Sequence, residues 1–230
     1  MLNVTYINTA GITLAEVAPY LPFITKERAA NTSNFRFDKN KIDAILSELL
    51  LRAILCQQFH LKNNQINIQK TKLGKPYLEG FPNIQFNYSH SGDYIILGIS
   101  DKKVGIDIEE ITPIDLSIAE HYFCSKEYSA IMAEREEHQV ETFFSIWCLK
   151  ESYVKYTGKG MTIPLTSFCF TVRDEVIQFE GKDENMRFEL LPISEYYKTA
   201  ICYQDKERID SIEERTLQEI LRYFDTSKEK

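Results

Sequence analysis

The chain has 230 residues, is 43% hydrophobic and 27% charged, and carries a formal net charge of −7. That length allows one large domain or two small ones, and the composition is that of a folded globular protein. An acidic balance argues against a general nucleic-acid binder, and no apolar run approaches the ~20 residues of a membrane span. The first residues, MLNVTYINTAG, lack the basic start and apolar core of a signal peptide. Five cysteines (Cys56, Cys124, Cys148, Cys169 and Cys202) are scattered with no C-x-x-C spacing, so reduced thiols in a cytoplasmic protein are expected.

Residues 2–8 alternate in hydropathy and predict a strand. A short helix or turn follows over Leu14–Tyr20, and a polar helical stretch begins at Thr25. Asn40–Phe59 reads as the core helix of the first half, with Ile42, Ile45, Leu46, Leu49, Leu50, Ala53 and Ile54 on one broad face. Arg52 on its flank is expected to be structural. A polar strand over 64–70 leads to Gly74-Lys75-Pro76, a rigid turn with one cation at its tip. Taken alone, that is a surface turn. Residues 84–91 alternate as a strand that gives out into Ser89-His90-Ser91-Gly92. A Ser/His hydrolase is excluded here, because there is no G-x-S-x-G elbow. Tyr94–Ser100 is a buried strand, and Asp101–Lys103 turns it into the next strand as a hairpin.

That next strand, Val104–Glu109, alternates strictly. Val104, Ile106 and Ile108 point one way; Gly105, Asp107 and Glu109 point the other. The two carboxylates lie roughly 7 Å apart along one face, and a third from a neighbouring helix would complete an all-oxygen site suited to Mg²⁺. Gly105 leaves room for a close neighbour. An exposed polar strand face would look the same. Helices are expected over Ile114–Tyr122 and Ser125–Glu136. Residues 107–141 hold ten acidic and two basic residues, and the run Glu134-Arg135-Glu136-Glu137 is most simply a solvated face or loop.

The second informative stretch is Phe144–Gly160. Trp147, Glu151 and Lys155 recur every four residues, so they share one side of a helix, with Lys150 and Val154 flanking. Gly158 suits a left-handed C-cap. A lysine–glutamate pair at this spacing is common on exposed helices and contributes only ~0.3–0.5 kcal/mol. Beyond it, strands are expected at Phe168–Val172, Val176–Phe179, Arg187–Leu191 and Tyr197–Cys202, then an amphipathic helix over 209–224 and a frayed tail to Lys230.

The two stretches together are specific. G-I-D-I-E at 105–109, followed by W-x-x-K-E-S-x-x-K-x-x-G-K-G at 147–160, resembles the signature of 4′-phosphopantetheinyl transferases, and the added first half resembles the surfactin-synthetase-activating (Sfp-type) branch. The resemblance implies an α+β fold. Two similar α/β halves, 1–103 and 104–230, would be related by pseudo-twofold symmetry, each with a mainly antiparallel sheet packed on a long helix. The first half would carry the nucleotide-binding motifs; the second would carry the metal site, the catalytic helix and the C-terminal helix. It implies transfer of the 4′-phosphopantetheine arm of coenzyme A to a serine of an apo peptidyl or acyl carrier domain, with Mg²⁺ or Mn²⁺, by a cytoplasmic monomer. Asp107, Glu109 and Glu151 would hold the metal; Glu151 and Lys155 would be catalytic. Gly74, Lys75, Pro76, Ser89, His90, Lys150 and Lys155 would contact coenzyme A. The family's basic contact near the start of the 40–59 helix falls near Asp43, so Arg28, Arg36, Lys39 or Lys41 would supply that charge. Rival readings are a non-catalytic coenzyme A-binding protein of the same fold and a phosphohydrolase. The hydrolase would normally need a second metal site, and none is visible.

Overall fold

A computed structural model describes residues 1–173, 176–183 and 185–225. The order of elements repeats. Strand β1 (Leu2–Asn8) is followed by the short helices α1 (Leu14–Val17) and α2 (Lys26–Thr32) and then the 22-residue helix α3 (Asp38–Phe59). A ribbon of β2 (Ile68–Lys70) and β3 (Pro76–Leu78) and a hairpin of β4 (Gln85–Ser91) and β5 (Tyr94–Ser100) complete this set. The second set has β6 (Val104–Glu110), short helices α4 (Ser117–Tyr122) and α5 (Ser125–Ala133), and the 22-residue α6 (Glu136–Thr157). It also has a ribbon, β7 (Cys169–Arg173) with β8 (Val176–Glu180), and a pair, β9 (Met186–Leu190) with β10 (Tyr197–Gln204). In each set the last strand pairs antiparallel with the first, β5 with β1 and β10 with β6. These are the two like halves the resemblance implies.

The expected hairpin between β5 and β6 does not form. β5 lies between β1 and β4, whereas β6 pairs with β10 in the other sheet. Asp101–Lys103 is therefore the crossing between halves. Both faces of β5 are buried: Ile95, Leu97 and Ile99 pack towards α3, and Ile96 packs towards Val104, Ile106 and Ile108 of β6. A strand that is apolar on both faces suits this central place.

The C-terminal segment crosses back to the first half. In place of a helix from 209, β11 (Ser211–Glu214) pairs parallel with β1, and α7 (Leu217–Asp225) buries Ile220, Leu221 and Phe224 in the α3 core. Thr216 and Glu219 explain the late start. The Glu219 carboxylate accepts from Thr216 N–H at 2.8 Å, and the Thr216 hydroxyl accepts from Glu219 N–H at 3.3 Å, a reciprocal cap that starts the helix at 217. The expected half 104–230 thus gives its last elements to the first. Residues 226–230, where fraying is expected, lie outside the described residues.

Two features position the site. Gly105 sits under α6, where a Cβ would lie 2.1 Å from Ser152 O and 2.3 Å from Tyr156 N, so only glycine lets the helix press on the strand. The room at Gly105 is filled by the helix backbone. Gly158 ends α6 at φ +69°, in the left-handed cap its sequence predicts.

The cysteines depart from expectation. Cys124, just before α5, and Cys169, at the start of β7, form a disulfide with Cα atoms 5.9 Å apart; Cys56, Cys148 and Cys202 are free. Forty-five residues separate the pair in sequence, and only the docking of β7 beside α5 brings them together.

Candidate active site

The seam between the halves runs along β4 and β6. These strands lie side by side without a backbone ladder, and alternate side chains of β4 bridge the gap. Asn87 Oδ1 accepts from Ile106 N–H at 2.8 Å, Ser89 Oγ donates to Asp107 Oδ1 at 2.8 Å, and Ser91 Oγ donates to Glu109 Oε2 at 2.8 Å. Period two along β4 puts Asn87, Ser89 and Ser91 on this edge. The motif therefore continues the strand: Ser89, His90 and Ser91 all pair with β5, where the sequence suggested a loop.

From α6, Lys155 reaches the same point. Its ammonium donates to Asp107 Oδ1 and, at 2.8 Å, to Ser89 Oγ. Glu151, one turn earlier, and Trp147, one turn before that, line the apolar side of the cleft with Lys155. Asp107 is 2% exposed, and its Oδ2 is buried with no hydrogen-bond partner. Burial, with Asp107 beside them, pushes the carboxyls of Glu109 and Glu151 above the usual range. Burial works against the Lys155 ammonium, but Asp107 outweighs it and raises its pKa. Three carboxylates share a desolvated pocket with one lysine, so a further positive charge would relieve them. The donors are all oxygen, as a hard divalent cation prefers. They are not drawn tightly together: among the described residues, the only group of three or more His, Cys, Asp or Glu donors within 4.8 Å of one another is Cys124, Glu127 and Cys169. The orphaned Asp107 oxygen and the unrelieved repulsion are what fit a cation at Asp107, Glu109 and Glu151.

Lys150 lies elsewhere. It is fully buried, and its ammonium is taken by Glu127 at 2.8 Å and by the carbonyls of Leu165 and Phe168, each at 2.8 Å. Burial lowers the Lys150 pKa and raises that of Glu127, and each partner opposes the other's shift. With all three N–H groups engaged, none remains for a phosphate. The expected coenzyme contact is thus corrected to a brace holding Leu165–Phe168 on α6. Position 150 faces away from Glu151 because neighbours on a helix do not share a side.

Lys75 is also corrected. Gly74 turns the β2–β3 ribbon at φ +88°, as expected, but the Lys75 ammonium donates to the carbonyls of Val104 (3.1 Å), Lys155 (2.6 Å) and Tyr156 (3.3 Å). It ties the ribbon tip to the C-terminal end of α6, where a cation is favoured. Burial lowers its pKa to about 8.

Two cavities flank the seam, and Pro76 lines both. One, of ≈ 720 Å³, is lined by Arg28, Lys39, Asp43 and His90; the other, of ≈ 840 Å³, by Leu73, Trp147, Glu151, Lys155 and Ile163. Asp43 is held by Lys39 at 2.6 Å, and the Arg28 guanidinium donates to Tyr88 Oη. Burial lowers the His90 pKa; Asp43 opposes this, and Lys39, Lys155 and Arg28 add to it. Of the four basic residues considered near α3, Arg28 and Lys39 line this cavity. Sequence reasoning missed Ser91 and Asn87; their shared parity with Ser89 was the available signal.

The fold defines a class: a two-half α+β enzyme, with this candidate site at the seam between its halves. Two family models match, the 4′-phosphopantetheinyl transferase superfamily over residues 103–207 and the 4′-phosphopantetheinyl transferase N-terminal model over 13–102. The chain is 32% identical over 203 residues to the 4′-phosphopantetheinyl transferase psf-1 of Bacillus pumilus, covering 87% of each chain. It is 36% identical over 181 residues to gsp of Aneurinibacillus migulanus, covering 78% of this chain and 76% of that one. With Sfp of Bacillus subtilis strain 168 it shares 31% identity over 186 residues, covering 80% and 83%. The chain belongs to the 4′-phosphopantetheinyl transferase superfamily, in its Sfp-type branch.

Proposed function

We propose that this enzyme moves the 4′-phosphopantetheine arm of coenzyme A onto a serine hydroxyl of an apo peptidyl or acyl carrier domain, with Mg²⁺ or Mn²⁺ bound by Asp107, Glu109 and Glu151. The observation that supports the reading is the seam itself: the buried Asp107 of β6 meets Lys155 with one oxygen and has no partner on the other, and the half-buried Glu109 and Glu151 lie beside the same lysine. A divalent cation held there would neutralise pyrophosphate charge.

The chain's own groups supply the rest. Arg28 and Lys39 are the basic side chains that the ≈ 720 Å³ cavity offers a nucleotide phosphate, which would take them from their carboxylate partners Glu48 and Asp43, with His90 beside them as a hydrogen-bonding partner. Pro76 lines both cavities, and Gly74 and Lys75 hold it there through the turn and the tie to α6. Lys155 stands by the reacting phosphate and stabilises charge on it. Glu151 takes the proton of the carrier serine, directly or through a water. The serine oxygen bonds to the β-phosphorus, the pyrophosphate bridge breaks, and 3′,5′-ADP leaves. Ser89 is assigned to the carboxylates below. The carriers are those of peptide synthetases, polyketide synthases or fatty-acid synthesis. One chain supplies both halves, so it acts as a monomer. It works in the cytoplasm; among the described residues no helix is long and apolar enough to cross a membrane.

Intact-mass spectrometry of an apo peptidyl carrier domain with this protein, coenzyme A and Mg²⁺ tests the reading. A gain of one phosphopantetheine arm, abolished by EDTA, is expected. No gain on peptidyl, acyl or aryl carriers would return the rival reading, a binding protein of the same fold.

A further inference from the structure

Two of the proposed metal ligands, Asp107 and Glu109, each accept a hydrogen bond from a serine of the other half, beside those that Lys155 and Trp147 of α6 give them. Ser89 Oγ gives its one proton to Asp107 and accepts from Lys155. Ser91 Oγ gives its proton to Glu109 Oε2 and accepts from Glu110 N–H at 3.1 Å. Each hydroxyl has its single donor committed to a carboxylate. Neither can donate to a phosphate in this arrangement. Beyond Ser91 the strand end is pinned as well. Asp93 N–H donates to Tyr197 Oη at 2.9 Å, and a Cβ on Gly92 would lie 2.2 Å from that oxygen. Ser91 is thus fixed along its strand and cannot follow a carboxylate that moves.

We infer that Ser91 is a positioning residue that orients Glu109 for the divalent cation, with Ser89 doing the same for Asp107, so that the β4 edge of one half sets the metal affinity of the other. The reasoning rests on the metal reading above. Glu109 reaches the cleft from the end of β6 and is only half-buried. Ser91 and Trp147 both hydrogen-bond the Glu109 carboxylate, so removing Ser91 takes away one of these restraints and leaves that part of the ordering to occur when the ion binds. Groups that orient a metal ligand typically change affinity by roughly 10–100-fold when removed. Asn87 serves the same edge differently: it bonds backbone, Ile106 N–H, and sets the register that puts Ser89 opposite Asp107 and Ser91 opposite Glu109.

The test is Mn²⁺ binding to the full chain by electron paramagnetic resonance, without carrier, in wild type, Ser91→Ala and Ser91→Thr. Wild type is expected to bind; Ser91→Ala should bind at least about tenfold more weakly; Ser91→Thr, which keeps the hydroxyl, should recover most of the loss. In the transfer assay, Ser91→Ala should need correspondingly more Mn²⁺ for half-maximal rate while approaching the wild-type kcat at saturation. Thermal melts in EDTA separate this from misfolding, since both variants should melt within a few degrees of each other. Equal Mn²⁺ affinity in wild type and Ser91→Ala overturns the positioning role and leaves the metal reading standing. Absence of Mn²⁺ binding in wild type overturns both.

Discussion

Helices α3 and α6 have the same length and the same place in their halves, and both bury charge, but they treat it differently. On α3 the Glu48 carboxylate is only 2% exposed as a residue, yet it is surrounded: Arg52 Nε at 2.8 Å, Arg28 Nε at 3.2 Å and Thr25 N–H at 2.7 Å all meet it. On α6 the pair Lys150–Glu127 is satisfied in the same way, while one turn away Glu151, Glu109 and Asp107 crowd a single lysine. Satisfied charge holds a fold in one arrangement; unsatisfied charge in a cleft marks a place that awaits a ligand. The lesson separates two lysines five residues apart on one helix. Lys150 is saturated by its own half, and Lys155 faces the proposed site.

The largest expected effect tests the unsatisfied cluster. Asp107→Ala should lower carrier modification by about three orders of magnitude, because a metal's charge stabilisation is several kcal/mol and each 1.4 kcal/mol is tenfold. Intact-mass time courses measure it, and a variant with near wild-type rate would remove Asp107 from the metal site. The satisfied pair should behave in the opposite way. Lys150→Met strands Glu127 and should cost about 3–5 kcal/mol in urea unfolding. The double variant Lys150→Met/Glu127→Leu should recover much of that, and its kcat/KM should exceed that of Lys155→Ala. If Lys150→Met keeps its stability and loses only activity, the brace is wrong.

A smaller stabilisation, about 2–4 kcal/mol, is expected from the Cys124–Cys169 bridge, which closes the half that contains α6. Under denaturing conditions without reductant, a thiol count should find three of the five cysteines free; five would show the pair reduced. The smallest effect has a sign set by pH. The Glu151 carboxyl is raised in the folded state, so the folded protein holds that proton more tightly than the unfolded chain. Stability from this group therefore falls as pH rises from the usual carboxylate range through the raised value. Glu151→Gln should melt about 1–2 °C higher than wild type at pH 7 in EDTA and show no gain near pH 4. Mn²⁺ should stabilise wild type and not the variant.

Much of this was legible in the chain. The parity of Val104–Glu109 separated core from site face, and the four-residue spacing of Trp147, Glu151 and Lys155 put them on one side of α6, because both depend only on local geometry. Gly158 marked the helix end for the same reason. The Thr216–Glu219 cap was readable too, and would have placed the start of α7 correctly. Other features had no local signal. Whether β5 pairs with β6 depends on which strands take its edges, and β1 and β4 occupy both while α3 packs on the face of Leu97 and Ile99. Lys150 and Lys155 are the same residue type on the same helix; only the packing of α5 and Phe168 against one side decides which ammonium is saturated. Cys124 and Cys169 look unrelated until β7 docks beside α5.

The family, and the faces on which the candidate site residues lie, were readable from short stretches of the chain. Periodicity and residue type are properties of short segments, and short segments carry them intact. Tertiary structure alone decided how the halves meet. The β4 edge joins β6 through side chains of Asn87, Ser89 and Ser91, and the partner of each was set by a register no single segment contains. Hydrogen bonds across that seam are short-range in space and long-range in the chain, so they exist only once both halves have folded against each other.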